Sequence, residues 1–437
     1  SSDLKYAESG IKNYTHSVDL WMKNSGLIID CDEKKNALRN LFKNSKVAFI
    51  YGAAGTGKST MINYISSLFK DKQKIFLANT NPAVENLRRK VTAEHAEFVT
   101  ITKFLSKDVS NDCDILCLDE CSTISNRDMV RVLQRAQCKL LVLVGDIYQI
   151  ESILFGNWFN IAYKVMPKDS VAELTRPHRT TVQGLIEVWN KVREITEDRL
   201  EFITRNGLSS TLDESIFSRT EEDEIVLCLN YDGIYGINNI NKFLQSNNVN
   251  PSINWGVLSY KVGDPVLFNE SNRFAPLVYN NLKGKILQIE EEEDCIYFTI
   301  EVYTVLNELD VIGFDLELKE SVTDETSVIR FKVGRGGDGN DDNDNVENVV
   351  PFQVAYAISI HKAQGLEYES VKVVITSEIE EMVSHNIFYT AITRAKSKLK
   401  IYWSPETEKR ILENMKVQFN DKDYQLFKAK YKEALLK

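Results

Sequence analysis

The sequence predicts an α/β fold built on parallel sheets, with a small antiparallel addition late in the chain, and three observations predict it. Residues 47–51 (VAFIY), 115–120 (ILCLDE) and 140–146 (LLVLVGD) are short apolar runs that stop at a glycine or an acid. Stretches with helical spacing, such as 61–69 (MINYISSLF), separate them. Strands apolar throughout are buried on both faces, and buried strands alternating with helices form parallel sheets whose ligands bind at the carboxyl ends. From Lys261 the texture changes to short alternating runs, with turns expected at Gly263-Asp264 and Gly284 and more strands at 295–304 and 327–333.

The chain has 437 residues, enough for two large domains and smaller ones at roughly 100–200 residues each. Its 43% hydrophobic and 27% charged content is that of a soluble globular protein. No apolar run nears the roughly 20 residues of a membrane span, so no membrane partner is expected. Seven cysteines without a secretory leader lead to the expectation of a reducing, cytoplasmic setting. Cys113, Cys117 and Cys121 recur every fourth residue, but no further Cys or His stands at zinc-finger spacing. They are read as part of a buried strand and its exit. The net charge of −10 weighs against a large nonspecific nucleic-acid surface, although a basic channel is compatible with acidic outer faces. Two acidic clusters, 290–294 and 338–344, are read as solvated turns.

GAAGTGKST, Gly52 to Thr60, follows the first strand at once and opens a helix. Gly52, Gly55 and Gly57 let the backbone wrap phosphate oxygens, while main-chain N–H groups and the helix N-terminus point at the anion. Ala53, Thr56 and Thr60 complete this cradle. Lys58 is expected to reach the β- and γ-phosphates and Ser59 to ligate Mg²⁺, so ATP and Mg²⁺ are the expected cofactors. Asp119 suits the Mg²⁺ role, directly or through water, and Glu120 suits polarising the attacking water. Gln149 stands three residues after Asp146 and is placed to position water at the γ-phosphate.

Taken together these segments resemble superfamily 1 helicases, in particular the RecD-like branch. GAAGTGKST resembles motif I, LDECS motif II and VGDIYQI motif III. LANTNPAVENLRRK from Leu77 resembles motif Ia, and VTITKFL from Val99 the Thr-Ile segment after it. LTRPHR, ending at Arg179, is similar to motif IV. SIHKAQGLEYESVKVVI from Ser359 and YTAITRAKSKLKIYW from Tyr389 closely match motifs V and VI. The resemblance covers nearly all of residues 31–403. It implies two RecA-like motor domains with ATP between them, and an SH3-like β-barrel inserted in the second. It implies that Arg179 and Arg394, from the second domain, touch the γ-phosphate, where a guanidinium fork neutralises spreading charge. Gly365 of motif V joins the nucleotide-binding set.

The resemblance also implies a single-stranded nucleic-acid channel, with DNA favoured over RNA. Its candidates are Thr80 and Asn81, Thr102 and Lys103, and His361 and Lys362, side chains suited to phosphate contacts that carry no sequence information. Residues 228–244 are similar to the segment between motifs IV and V, where Asn230 contacts the strand and Tyr231 either stacks on a base or packs in a core. The run Arg88, Arg89, Lys90 either attracts the strand or forms a solvated helix face. His178 and His385 are read as ordinary packed or exposed residues.

Two departures stand out. DEKKNAL puts Lys34 where the family has a glutamine, and a lysine lacks the paired donor and acceptor that an amide offers adenine. Only SKDVSNDCD, 106–114, separates the Thr-Ile segment from the motif II strand, too short for the hairpin pin of RecD-like enzymes. The expected organisation is an accessory segment (1–30), a first motor domain (31–174), a second in two parts (175–260 and 350–405), an insertion with an acidic link (261–349) and a helical tail (406–437). The terminal segments are candidate sites for a protein partner. The expected function is ATP-dependent 5′→3′ DNA translocation or unwinding; an RNA motor and a nucleotide-gated subunit of a larger complex are the alternatives.

Overall fold

The computed structural model describes residues 18, 20–23, 31–41, 46–106, 111–149, 156–176, 178–269, 273–275, 277–321, 323–335, 348–416, 424–426 and 428–430. The acidic cluster 338–344, most of the link 334–345, much of segments 1–30 and 106–114, and Phe419, Phe427 and Tyr431 of the tail lie outside them. Contacts divide the chain into two compact units: residues 1–199, 384–393 and 415–437, and residues 200–383 and 394–414.

The first unit is built on one six-stranded sheet. Its strands are β1 (Val47–Gly52), β2 (Lys74–Ala78), β3 (Ala96–Thr100), β4 (Asp112–Leu118), β5 (Gln137–Gly145) and β6 (Val171–Leu174). They run in the order β3-β2-β4-β5-β1-β6, and every pair is parallel. Helices α1 (Asp32–Leu41), α2 (Lys58–Leu68), α3 (Asn81–Lys90), α4 (Ile101–Leu105), α5 (Asn126–Arg135), α6 (Trp158–Val165) and α7 (Gln183–Glu194) accompany it. Ala48 and Ile50 of β1 face one core layer, and Val47 and Phe49 face another. A sheet covered on both faces explains why these strands read as unbroken apolar runs. Cys113 and Cys121 share one of these layers and Cys117 lies in the other; all three are buried free thiols.

The division falls at Arg199 and Leu200, beyond the 174/175 boundary expected from motif spacing. Residues after β6 stay on the first unit because the His178 N–H donates to the Gly55 carbonyl at 2.6 Å. A late helix within 384–393 belongs to the same unit. The Trp189 indole donates to Ile392 O at 3.0 Å, and His385 Nε2 lies 2.8 Å from Val192 O.

The second unit holds a parallel sheet and an antiparallel one. In the first, β7 (Ser209–Ser210) and β8 (Glu224–Cys228) join β17 (Ala357–Ser359), β18 (Tyr368–Val374) and β19 (Ala395–Tyr402) in the order β17-β8-β18-β19-β7. Their pairings are parallel. Lys372 and Glu224 form an ion pair at 3.0 Å across β18 and β8, with side chains only 7% and 2% exposed. Ser370 and Thr220 hydroxyls donate to Glu224 at 2.8 Å each, so the buried carboxylate is well satisfied.

Helix α8 (Arg199–Arg205) precedes β7, and between β8 and β17 come α9 (Ile237–Ser246), the antiparallel pair β9 (Ser252–Trp255) and β10 (Leu258–Lys261), and a six-stranded sheet. That sheet comprises β11 (Pro265–Phe268), β12 (Lys283–Glu291), β13 (Cys295–Val302), β14 (Glu317–Lys319), β15 (Ser327–Gly334) and β16 (Phe352–Val354), in the linear order β14-β15-β13-β12-β11-β16. Phe268, Phe298, Phe331 and Phe352 centre its core. Gly263 turns at φ 88, as expected. Asp264 beside it is fully buried and accepts from Gln245 (2.6 Å), Asn248 (2.9 Å) and Tyr356 (2.8 Å), tying α9 to the sheet.

Gly284, expected in a turn, lies inside β12 opposite Val266 and Val302. A Cβ there would come 2.8 Å from Glu301 O, so the glycine serves close strand approach. Glu290 is likewise the strand end rather than a solvated turn: Arg330 donates to it from Nε at 3.1 Å and Nη2 at 2.8 Å. The unit ends with α11 (Pro405–Asn414), preceded in sequence by α10 (His385–Ile392) of the first unit; Ile411 and Leu412 are buried.

Candidate nucleotide and strand sites

The loop from Gly52 to Gly57 joins the end of β1 to α2. Gly55 and Gly57 adopt φ 76 and φ 81, a region open to glycine and strained for other residues. Both are also crowded: a Cβ on Gly55 would run into the Arg179 side chain, and one on Gly57 would sit 2.6 Å from Lys34 Nζ. Lys58 Nζ donates to Gly52 O at 2.8 Å and Ala53 O at 2.9 Å, so it lies folded over the loop. Thr56 Oγ1 donates to Ala53 O at 2.9 Å and stiffens the same turn. Ser59 and Thr60 stand in the first turn of α2, half-buried and exposed.

Asp119 and Glu120 follow β4 directly. Asp119 Oδ1 accepts the Glu120 N–H at 2.8 Å. Withdrawal from water pushes the Asp119 carboxyl above its ordinary range, opposed by that hydrogen bond and by the charges of Lys58 and Lys90. Glu120 sits at φ 51, a left-handed conformation whose cost is of order 1–3 kcal/mol and which clusters at functional sites. Asp146, 2% exposed, accepts the Tyr148 N–H at 3.0 Å and so shapes the turn that carries half-buried Gln149.

Arg179 belongs to the same unit as the loop, and its Nη1 donates to Thr393 O at 2.7 Å. Arg394 belongs to the second unit; it is 2% exposed and donates from Nη1 to Leu366 O at 3.2 Å. Gly365, also in the second unit, turns at φ 82 after β17.

Three neighbours of the loop were not assigned to it from sequence. The Ala54 N–H donates to Tyr389 Oη at 3.3 Å, which brings the motif VI helix onto the cradle. Tyr389 was present in the quoted motif but carried no signal of this contact. Lys34, 4% exposed, lies with Nζ 3.0 Å from His178 Nε2. Burial lowers the Lys34 amine, and burial followed by the Lys34 charge lowers His178. His385 is buried and packed, held below its ordinary value by burial.

The strand candidates sit at carboxyl ends of parallel strands within each unit. In the first, Thr80 caps α3 by accepting the Ala83 N–H at 3.4 Å, with Asn81 beside it; Thr102 and Lys103 are exposed on α4. Arg88 pairs with Glu85 at 3.0 Å and Arg89 approaches it at 3.8 Å, as on a solvated helix face. In the second, Asn230 Nδ2 donates to Asp232 O at 2.9 Å and Tyr231 is 51% exposed, so the ring is not core. His361 is exposed, and Lys362 Nζ donates to Gln353 Oε1 at 2.9 Å. No group of His, Cys, Asp and Glu among the described residues is arranged to hold a metal by itself. No described helix is long and apolar enough to cross a membrane.

Residues 31–213 match an AAA domain family and residues 354–402 match the UvrD-like helicase C-terminal domain. The RecBCD enzyme subunit RecD of Buchnera aphidicola (subsp. Schizaphis graminum) is 23% identical over 503 residues, covering 89% of this chain and 78% of that one. The chain is a RecD/Pif1-like helicase of superfamily 1. Members of this helicase family are ATP-hydrolysing DNA helicases. An uncharacterized Methanocaldococcus jannaschii protein, MJ1519, is 24% identical over 448 residues, 84% of this chain but 37% of its own length. A crystal structure of Bacteroides Pif1 helicase, in complex with ADP-AlF3 and ssDNA, shares the fold with a TM-score of 0.51 at 17% identity, covering 86% of this chain and 93% of that one. The parallel-sheet α/β units are those of RecA-like helicase domains.

Proposed function

We propose that this RecD/Pif1-like helicase is a motor that uses ATP and Mg²⁺ to translocate 5′→3′ along single-stranded DNA. The observation that carries the reading is the loop at the end of β1, whose lysine and glycines share one sheet edge with the Asp119–Glu120 strand end. Ser59 and Asp119 offer oxygen donors of the kind a hard cation takes, so the residues fit Mg²⁺. Bound there, Mg²⁺ would neutralise phosphate charge. Lys58 leaves its carbonyl partners to hold the β- and γ-phosphates. Glu120 takes the proton of the attacking water, oriented by Gln149. Arg179 and, on the strength of its motif, Arg394 stabilise the charge that develops. The nucleotide and strand bound by Bacteroides Pif1 support this assignment of ligands. The antiparallel sheet of the second unit is taken as the SH3-like element of the family.

Six residues separate Leu105 of α4 from Asp112 of β4, which leaves little length for a strand-separating hairpin there. Translocation is accordingly the primary activity, with duplex opening weak. The test measures ATP hydrolysis with single-stranded DNA or RNA of equal length, beside opening of 5′-tailed and 3′-tailed duplexes. Stronger stimulation by DNA and opening confined to 5′-tailed substrates are expected. Absence of stimulation by either strand, or opening of 3′-tailed duplexes alone, overturns the reading.

A further inference from the structure

We propose that a cavity in the second unit is a pocket for one unstacked base of the single strand, a proposal that rests on the strand-motor reading above. The cavity measures ≈ 380 Å³ and lies between Tyr231, α9, the β9–β10 pair and β16. That volume falls in the range of roughly 300–1,000 Å³ typical of small-ligand sites. Its apolar wall is Ile237, Leu258 and the ring of Tyr231; Leu258 and Tyr231 remain 54% and 51% exposed. Lys242 and Gln353 also line it, and none of its described lining residues is acidic.

A second observation points to a ligand. Tyr260 lines the same cavity and is 1% exposed, yet its hydroxyl has no hydrogen-bond partner among the described residues. Buried hydroxyls are nearly always paired, and leaving one unpaired is costly. The amide oxygen of Asn230, next to Tyr231, is likewise buried and without a partner. Lys362, an expected strand contact, donates to Gln353 in the cavity wall. The expected strand residues before α9 and after β17 thus flank the pocket.

A nucleobase fits this lining. Its flat face stacks on an exposed tyrosine ring, its polar edge offers partners to a hydroxyl and an amide, and the adjoining phosphates meet Lys242 and Lys362. Stacking on Tyr231 is tolerant of sequence because every base has a π-face.

The test uses the full chain and a fluorescent single-stranded oligonucleotide, with affinity read by anisotropy. An abasic residue is moved along the oligonucleotide one position at a time. Wild-type affinity is expected to fall about fivefold or more at one register, the loss of one stacked base. Tyr231→Ala weakens the intact oligonucleotide by a similar factor and flattens the abasic scan, while Tyr231→Phe keeps both. Tyr260→Phe lowers affinity about twofold or more, the loss of one hydrogen bond. Tight wild-type binding with a flat abasic scan overturns the pocket and leaves the motor reading standing. Failure of the wild type to bind any single strand overturns both.

Discussion

In the proposed motor, Lys58 and Glu120 divide the chemistry of the nucleotide site between them, so their substitutions should fail differently. Lys58→Ala removes the cation that holds the phosphates and is expected to abolish both nucleotide binding and turnover. Glu120→Gln keeps the shape and is expected to retain nucleotide while phosphate release falls roughly 10²–10⁴-fold, the worth of a positioned base. Parallel nucleotide-binding and phosphate-release assays separate the two; full turnover in Glu120→Gln refutes the base assignment. Two histidines give the first unit a pH dependence. Burial holds His178 and His385 below the ordinary 6.5. The unfolded chain therefore takes up protons first as pH falls through 6.5, which favours unfolding; above it both states are neutral and the effect vanishes. Melting temperature should fall from pH 7 towards 5.5, and the double variant His178→Gln/His385→Gln should flatten that slope.

At the scale of elements, the parallel sheet of the second unit is pinned by one ionic contact that apolar strands do not require. Lys372 and Glu224 are both buried and pair with one another. Lys372→Met leaves an uncompensated carboxylate between β8 and β18 and is expected to cost about 3–5 kcal/mol in urea unfolding. The pair variant Lys372→Met/Glu224→Gln should recover much of that loss, since the penalty comes from the stranded charge rather than from the missing bridge. Recovery of nothing would show that Lys372 acts mainly through its bond to Ser215 O, formed at 3.0 Å.

For the whole molecule, the net charge of −10 means that strand attraction in the proposed motor depends on a few local cations rather than on the overall field. Affinity for single strands should fall with salt, each lysine–phosphate contact adding about 0.7 to the slope of log affinity against log salt. Lys103→Ala in the first unit and Lys362→Ala in the second are each expected to lower that slope by about 0.7. An unchanged slope in both variants removes them from the strand contacts. The same titration with RNA shows whether the contacts discriminate between the two polymers.

Much of this protein was legible in its linear order because the signals are local. A buried parallel strand must be apolar throughout, a phosphate-binding turn must supply glycines, and the acids must stand where strands end. Hence β1, β4 and β5, the glycine loop between β1 and α2, and the placing of Asp119, Glu120 and Asp146 at strand ends follow from the sequence alone. What tertiary structure decided is whatever depends on residues far apart in the chain. Gly284 reads as a turn until β11 and β13 close on either side of it. Residues 175–199 and 384–393 read as parts of the second motor domain, but hydrogen bonds from His178 to Gly55 and from Ala54 to Tyr389 draw them to the first unit. Lys34 reads as a missing glutamine, and only packing puts its amine against His178 and Gly57. Spacing along a chain records which side chains share a face; it does not record which distant backbone will come to lie against them.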